Sequence, residues 1–224
     1  MLISYDQVLQ SAIRGEIPWD LAEKGFKRIK TLKRSIEKLE EDSGLTYPEV
    51  TITPVLKILL HSSGVESMVH GHIDFKKSSE GIIPYVNISL PFILNGTKRI
   101  YDCVLAHELL HYLYIAKKVA TKDYFSLEQK LGDTIISHMI FDEISQLKPE
   151  TVFKNKTLIR NLEKKFDEIV NNEKFVKKIE KSWISKNFPV LIIPEDQFTV
   201  KFQTSEFITI KFPKDILNFV LSVK

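Results

Sequence analysis

The sequence predicts an α+β fold. It has N-terminal helices, a small mixed sheet whose edge strand packs on an apolar helix, a second helix behind it, and a C-terminal helix with a β-rich tail. Three observations carry this reading. Apolar residues recur at helical spacing from Trp19 to Glu41, residues 46 to 100 alternate or carry β-branched side chains, and the run from about Arg99 to Lys117 is almost wholly apolar.

In the first segment, 1–45, Pro18 opens a helix whose apolar residues are Leu21, Phe26, Ile29, Leu32, Ile36 and Leu39. Lysines 24, 27, 30, 33 and 38 make its other faces a solvated surface, and Ser43-Gly44 ends it. The second segment, 46–150, begins with "EVTITPVLKILL", "MVHGHIDFK" and "GIIPYVNISLPFIL". Pro84 and Pro91 make the last of these the edge strand, because proline cannot donate to an interior ladder. After the apolar helix, "KKVATKDYF" reads as a loop, and Ser126 with Gln129 resembles a capping box opening a helix that stops near Pro149. The third segment, 151–224, holds a Lys-rich helical stretch from 155 to 185, then "PVLIIP", "FTVKFQT" and "FITIKFP" as strands and "KDILNFVLSV" as a closing helix. The boundary near 150 is soft, since the tail has apolar residues enough to join the same core.

The chain has 224 residues, 43% hydrophobic and 27% charged, with a formal charge of +3. A chain of this length buries a core without covalent staples. Arginine is scarce (Arg14, Arg28, Arg34, Arg99, Arg160), and with so small a net charge this weighs against a nucleic-acid partner. Cys103 stands alone, the opening "MLISYDQVLQ" lacks the pattern of a signal peptide, and no window suggests a transmembrane helix. A cytoplasmic protein is the expectation.

The apolar helix contains "AHELLHYLY", residues 106–114. Burying His107, Glu108 and His111 costs free energy unless something satisfies them. His107 and His111 lie four apart, on one helix face, and can share one zinc ion. Glu108 sits about 100° around the helix, where it reaches a metal-bound water without being a ligand. This is the chemistry of His-Glu-x-x-His: a zinc-activated water, with the glutamate as general base. The bland reading is two satisfied core histidines and a surface glutamate. A catalytic zinc takes a third protein ligand. On the following helix Glu128, His138 and Asp142 share one side and Asp133 lies on the other, beside Ile136, Ile140 and Ile144. Both sides cannot face one metal. His138 with Asp142 behind it is one solution and Asp133 is the other; Glu128 suits the first helical turn anyway, and Glu143 reads as solvated.

"VLAHELLHYLY" followed by "LEQKLGDTIISHMIFDEI" resembles the zincin metallopeptidases. More narrowly, it resembles the small metallopeptidase domains of bacteria and archaea that neighbour von Willebrand A-type domains, over roughly residues 65 to 145. The ImmA/IrrE-like regulatory peptidases are a related comparison, but they use a Glu on the second helix and none here is clearly in register. The resemblance implies zinc held by His107, His111 and Asp133, with Glu108 as base and a peptide or protein as substrate. Three features of the chain agree with Asp133. The spacing from His111 leaves room for the helix to end and the chain to reverse, Gly132 permits close helix approach, and the apolar face around Asp133 leaves its carboxylate in need of compensation. The chain departs from the family at Gln129-Lys130, where apolar residues are usual, and at His138.

Other residues fall to simpler readings. Tyr112 and Tyr114 are packing residues before they are carbonyl polarisers. His70 and His72, two apart on one strand, are a strand face before they are a second site. His61 suits a helix end and Cys103 a buried inert position. An alternative to the hydrolase is a zincin-like domain serving as a non-catalytic binding or regulatory module. An intact Glu108 argues for the hydrolase.

Overall fold

The computed structural model describes residues 2–61, 63–64, 66–79, 81–123, 146–194 and 208–223. The fold is α+β, with two mixed sheets. The four-stranded sheet has the order β1 (Ile3–Ser4), β2 (Val50–Thr53), β6 (Gly81–Ser89), β5 (Gly71–Ser78). The first three strands run parallel and β5 runs antiparallel to β6. The three-stranded sheet has β3 (Leu56–Leu60) at its centre, antiparallel to β4 (Glu66–Val69) and parallel to β7 (Val190–Pro194). "MVHGHIDFK" is therefore not one strand. It breaks at His70 and passes from one sheet to the other.

Two further expectations need correction. Among the described residues the end strands of the larger sheet are β1 and β5, and the proline-bearing β6 lies between β2 and β5. The N–H groups of Ile82 and Val86 point away from β5, to the carbonyls of Thr209 at 3.0 Å and Glu49 at 2.9 Å. Pro84 falls between them with the same orientation, in the gap between two acceptors, so its missing donor breaks no ladder bond. Pro91 is not in a strand at all. It stands in the first turn of α3 (Leu90–Asn95), where a missing N–H costs nothing.

The N-terminal hairpin is α1 (Asp6–Ile13) and α2 (Trp19–Ser43). Pro18 precedes the first turn of α2, and Gly44 closes it in the left-handed conformation at φ 73°. The buried stripe of α2 is Ala22, Gly25, Leu32, Ser35, Ile36 and Leu39. Phe26, expected in the core, is 62% exposed because the stripe centres on Gly25 instead. Gly25 makes room for Tyr5, whose hydroxyl donates to the Ala22 carbonyl at 2.8 Å.

The apolar helix is α4 (Lys98–Ala120). Thr97 caps it, accepting from the Ile100 N–H, and Lys117 and Lys118 occupy its last turn, where cations suit the dipole. Fifteen of its residues are buried, from Ile100 to Ala116, on every face. It contacts β5 and β6 of the larger sheet, α2, and the closing helix α9 (Lys214–Ser222). The 155–185 stretch is broken into α6 (Lys156–Lys164), α7 (Phe166–Val170) and α8 (Glu173–Ser182), with α5 (Pro149–Val152) before them and a 3₁₀ turn at Ile184–Lys186 after. The first two of these pack on α4 and α8 packs on α3. One core runs through all three sequence segments, from Val8 and Leu39 through Leu105 to Trp183 and Val220. Among the described residues, no helix is long and apolar enough to cross a membrane.

Gly25 gives a test of this packing. A Cβ there would collide with the Tyr5 hydroxyl and would lie 2.5 Å from Leu90 Cδ1. Gly25→Ala should therefore lower stability by about 1–3 kcal/mol, read from urea unfolding. Helix propensity alone predicts a gain of about 1 kcal/mol, so a stabilised variant would refute the packing argument.

Candidate metal centre

His107, Glu108 and His111 sit in the middle of α4 with exposures of 4%, 1% and 4%. Their burial follows from the helix being enclosed on every face. The two imidazole rings meet edge to face at 4.6 Å, and their Nε2 atoms converge to 3.1 Å. Two nitrogens each about 2.0–2.1 Å from one tetrahedral ion stand roughly 3.3 Å apart. The pair is thus set at close to the separation that one shared zinc requires. Phe166 stacks on His107 with ring centres 4.2 Å apart and planes 18° from parallel, which fixes the ring that His111 faces.

Glu108 lies under the start of β5. A Cβ on Gly71 would stand 3.1 Å from Glu108 Oε1 and 2.8 Å from Ile88 Cδ1, so only glycine brings the β5 backbone this close. On the other side Tyr47 is wholly buried, and its hydroxyl donates to the Leu105 carbonyl at 2.8 Å. Burial, with a smaller contribution from the negative charge of Glu108, holds the Tyr47 hydroxyl well above the usual phenol range. Tyr47 therefore stays a neutral donor that pins α4 at Leu105, two residues before His107. A cavity of about 100 Å³ adjoins these groups, lined by His70, Gly71, His107, Glu108, Phe166 and Asp167 among others.

The structure brings together His107, Glu108 and His111 as expected. Asp133, with its rivals His138 and Asp142, and also Glu128 and Glu143, lies outside the described residues. Among the described residues no group of three metal donors forms. The donor chemistry present, two converging imidazoles with a carboxylate beside them, fits a zinc ion as two of its ligands.

The remaining polar residues separate. His72 Nε2 is 2.8 Å from Lys57 Nζ, whereas His70 is buried between the rings of Phe92 and Phe175, so the two histidines do not form a joint site. His61 follows β3 rather than ending a helix and meets the Ser67 hydroxyl at 3.0 Å. Cys103 is a buried thiol that desolvation pushes up to about 11. Tyr112 packs edge to face on Phe212. No spacing or motif in the sequence points to Tyr47 or Phe166. Gly71, isolated within a strand pattern, carried the one usable signal, since such a glycine marks close backbone approach.

Comparisons of the chain with protein-family models, with curated proteins and with solved structures found no match.

His70 makes stability depend on pH. Burial lowers its pKa from 6.5 to about 4, with the Val170 backbone offsetting part of the shift. The unfolded chain takes up a proton near pH 6.5 that the folded chain refuses until about pH 4. The contribution is thus complete above pH 6.5, falls as pH drops from there to about 4, and then levels off. The loss over that window should reach up to about 3 kcal/mol. In His70→Phe, urea unfolding at stepped pH should lose this part of the slope; an unchanged slope would mean that His70 is protonated in the fold.

Proposed function

We propose that the chain is a zincin-like, zinc-dependent hydrolase that cleaves peptide bonds. The observation that carries this reading is the convergence of His107 Nε2 and His111 Nε2, with Glu108 one residue along on the same buried helix, beneath the start of β5. Bound zinc would supply an acidified water and polarise the substrate carbonyl.

The chain's own residues do the rest. His107 and His111 would hold the metal through Nε2. Asp133 is proposed as the third ligand, ahead of His138. The Glu108 carboxylate takes a proton from the attacking water and returns it to the leaving nitrogen. Its near-complete burial strengthens that exchange, because few solvent dipoles oppose it. The start of β5 passes over this carboxylate, where an extended peptide would run beside it. The peptide is proposed to pass beside Gly71 at the start of β5, in place of the β6 segment that the prolines suggested.

The test is metal analysis and peptide cleavage on the wild type and variants. Wild type should hold one zinc per chain and His111→Ala should lose it. Glu108→Gln should keep the zinc and lose about 10²–10⁴-fold in rate. A wild type that takes up no zinc at neutral pH would sink the reading. If zinc binds but neither wild type nor Glu108→Gln cleaves a broad peptide library, the non-catalytic module is the better description.

The third ligand is tested separately. Asp133→Ala should weaken zinc binding by at least about tenfold, and His138→Ala should leave it near wild type. The reverse pattern would assign the ligand to the other face of that segment.

A further inference from the structure

A second pocket, of about 540 Å³, opens where the first turn of α4 meets α2 and α6. Four cations line it: Lys38, Lys98, Arg99 and Arg160. Against them stand two carboxylates, Asp42 and Asp102, which leave the lining two positive charges in excess. Asp102 meets Lys98 at 2.8 Å and Lys38 at 3.8 Å, and Asp42 accepts the Asn155 backbone N–H at 3.2 Å. Among the described residues no carboxylate pairs with Arg99 or Arg160. Arg99 is nevertheless held in place. Its Nη2 donates at 3.2 Å to Oδ1 of Asn161, a buried side chain that orients the guanidinium without cancelling its charge.

Arginine makes the arrangement informative. The chain holds only five, against an abundance of lysine, and two of them face this one pocket. Elsewhere Arg14 serves Glu16, and Arg28 serves Tyr101 and the Gly96 carbonyl. A planar guanidinium fork matches a tetrahedral oxyanion in a way that an ammonium does not. The pocket volume lies within the range of small-molecule sites, roughly 300–1,000 Å³. A nucleic-acid strand would need a longer basic track than these four side chains supply.

We infer that this pocket binds a phosphate group, free or carried on a small organic ester. Arg99 and Arg160 supply the guanidinium forks and the Lys38–Asp102–Lys98 cluster supports the positive field. The site is separate from the His107–His111 centre and does not depend on the hydrolase reading.

Calorimetric titration of the purified chain with inorganic phosphate, pyrophosphate and AMP, at constant ionic strength, tests it. Saturable binding of at least one of them is expected. Arg99→Ala and Arg160→Ala should each weaken it by at least about tenfold. Arg160 is exposed and its removal should leave folding intact, so Arg160→Ala remains interpretable even if Arg99→Ala destabilises the chain. Tighter binding of AMP than of phosphate would show that an organic ester is read; equal binding would show that phosphate alone is the ligand. No saturable binding up to about 10 mM, or wild-type affinity in Arg160→Ala, would overturn the inference.

Discussion

The fold depends on one constraint: α4 is buried on every face and yet carries three polar side chains at its midpoint. An amphipathic helix needs one packing partner, but a helix enclosed all round needs several. The sheet covers one side, α2 and α9 cover others, and the α6–α7 pair brings Phe166 against His107. Each covering element comes from a different part of the chain. The enclosure removes water from His107, Glu108 and His111, and any charge that they bear or meet there acts in a medium that screens it weakly.

The same enclosure explains why the ends of the chain are tied to its middle. Asp215, at the start of α9, accepts the Thr46 backbone N–H at 3.0 Å, and Asp42 accepts from Asn155. Trp183 is fully buried and donates from its indole to the Pro189 carbonyl at 2.9 Å, which sets the turn leading into β7. These bonds satisfy polar groups at the joints between elements. Described residues of the 151–224 segment, among them Val152, Phe175, Trp183 and Val220, share the core with the earlier segments.

Much of this was legible in the sequence. The α2 stop at Ser43-Gly44, the extent of α4, the α+β class and the grouping of His107, Glu108 and His111 all follow from local periodicity and turn chemistry, which short windows report well. What was not legible depends on partners distant in sequence. Pro84 suggested an edge because proline lacks a donor, but its N–H vector falls in a gap between two acceptors, and only the pairing with β2 and with Thr209 shows that. Phe26 matched the helical period, yet the stripe is centred on a glycine that accommodates Tyr5. His70 and His72 looked like one strand face because the break between β4 and β5 leaves no turn signature. At the site, Tyr47 and Phe166 reach α4 from far along the chain, and no spacing rule connects them to His-Glu-x-x-His.

The parallel pairing of β3 with β7 bears on how the chain comes to be folded. Leu56 is joined to Val190 across more than half of the sequence, and no hairpin can bring them together. As the chain leaves the ribosome, the flank of β3 that β7 will cover stays open until nearly all of the protein has been made. "LKILL" is apolar and β-prone, the kind of segment that recruits neighbouring chains while it waits. The lysine within it, Lys57, is then more than a partner for His72. During synthesis it is a charge set inside the segment most exposed to mispairing, where it discourages association until the native neighbour arrives.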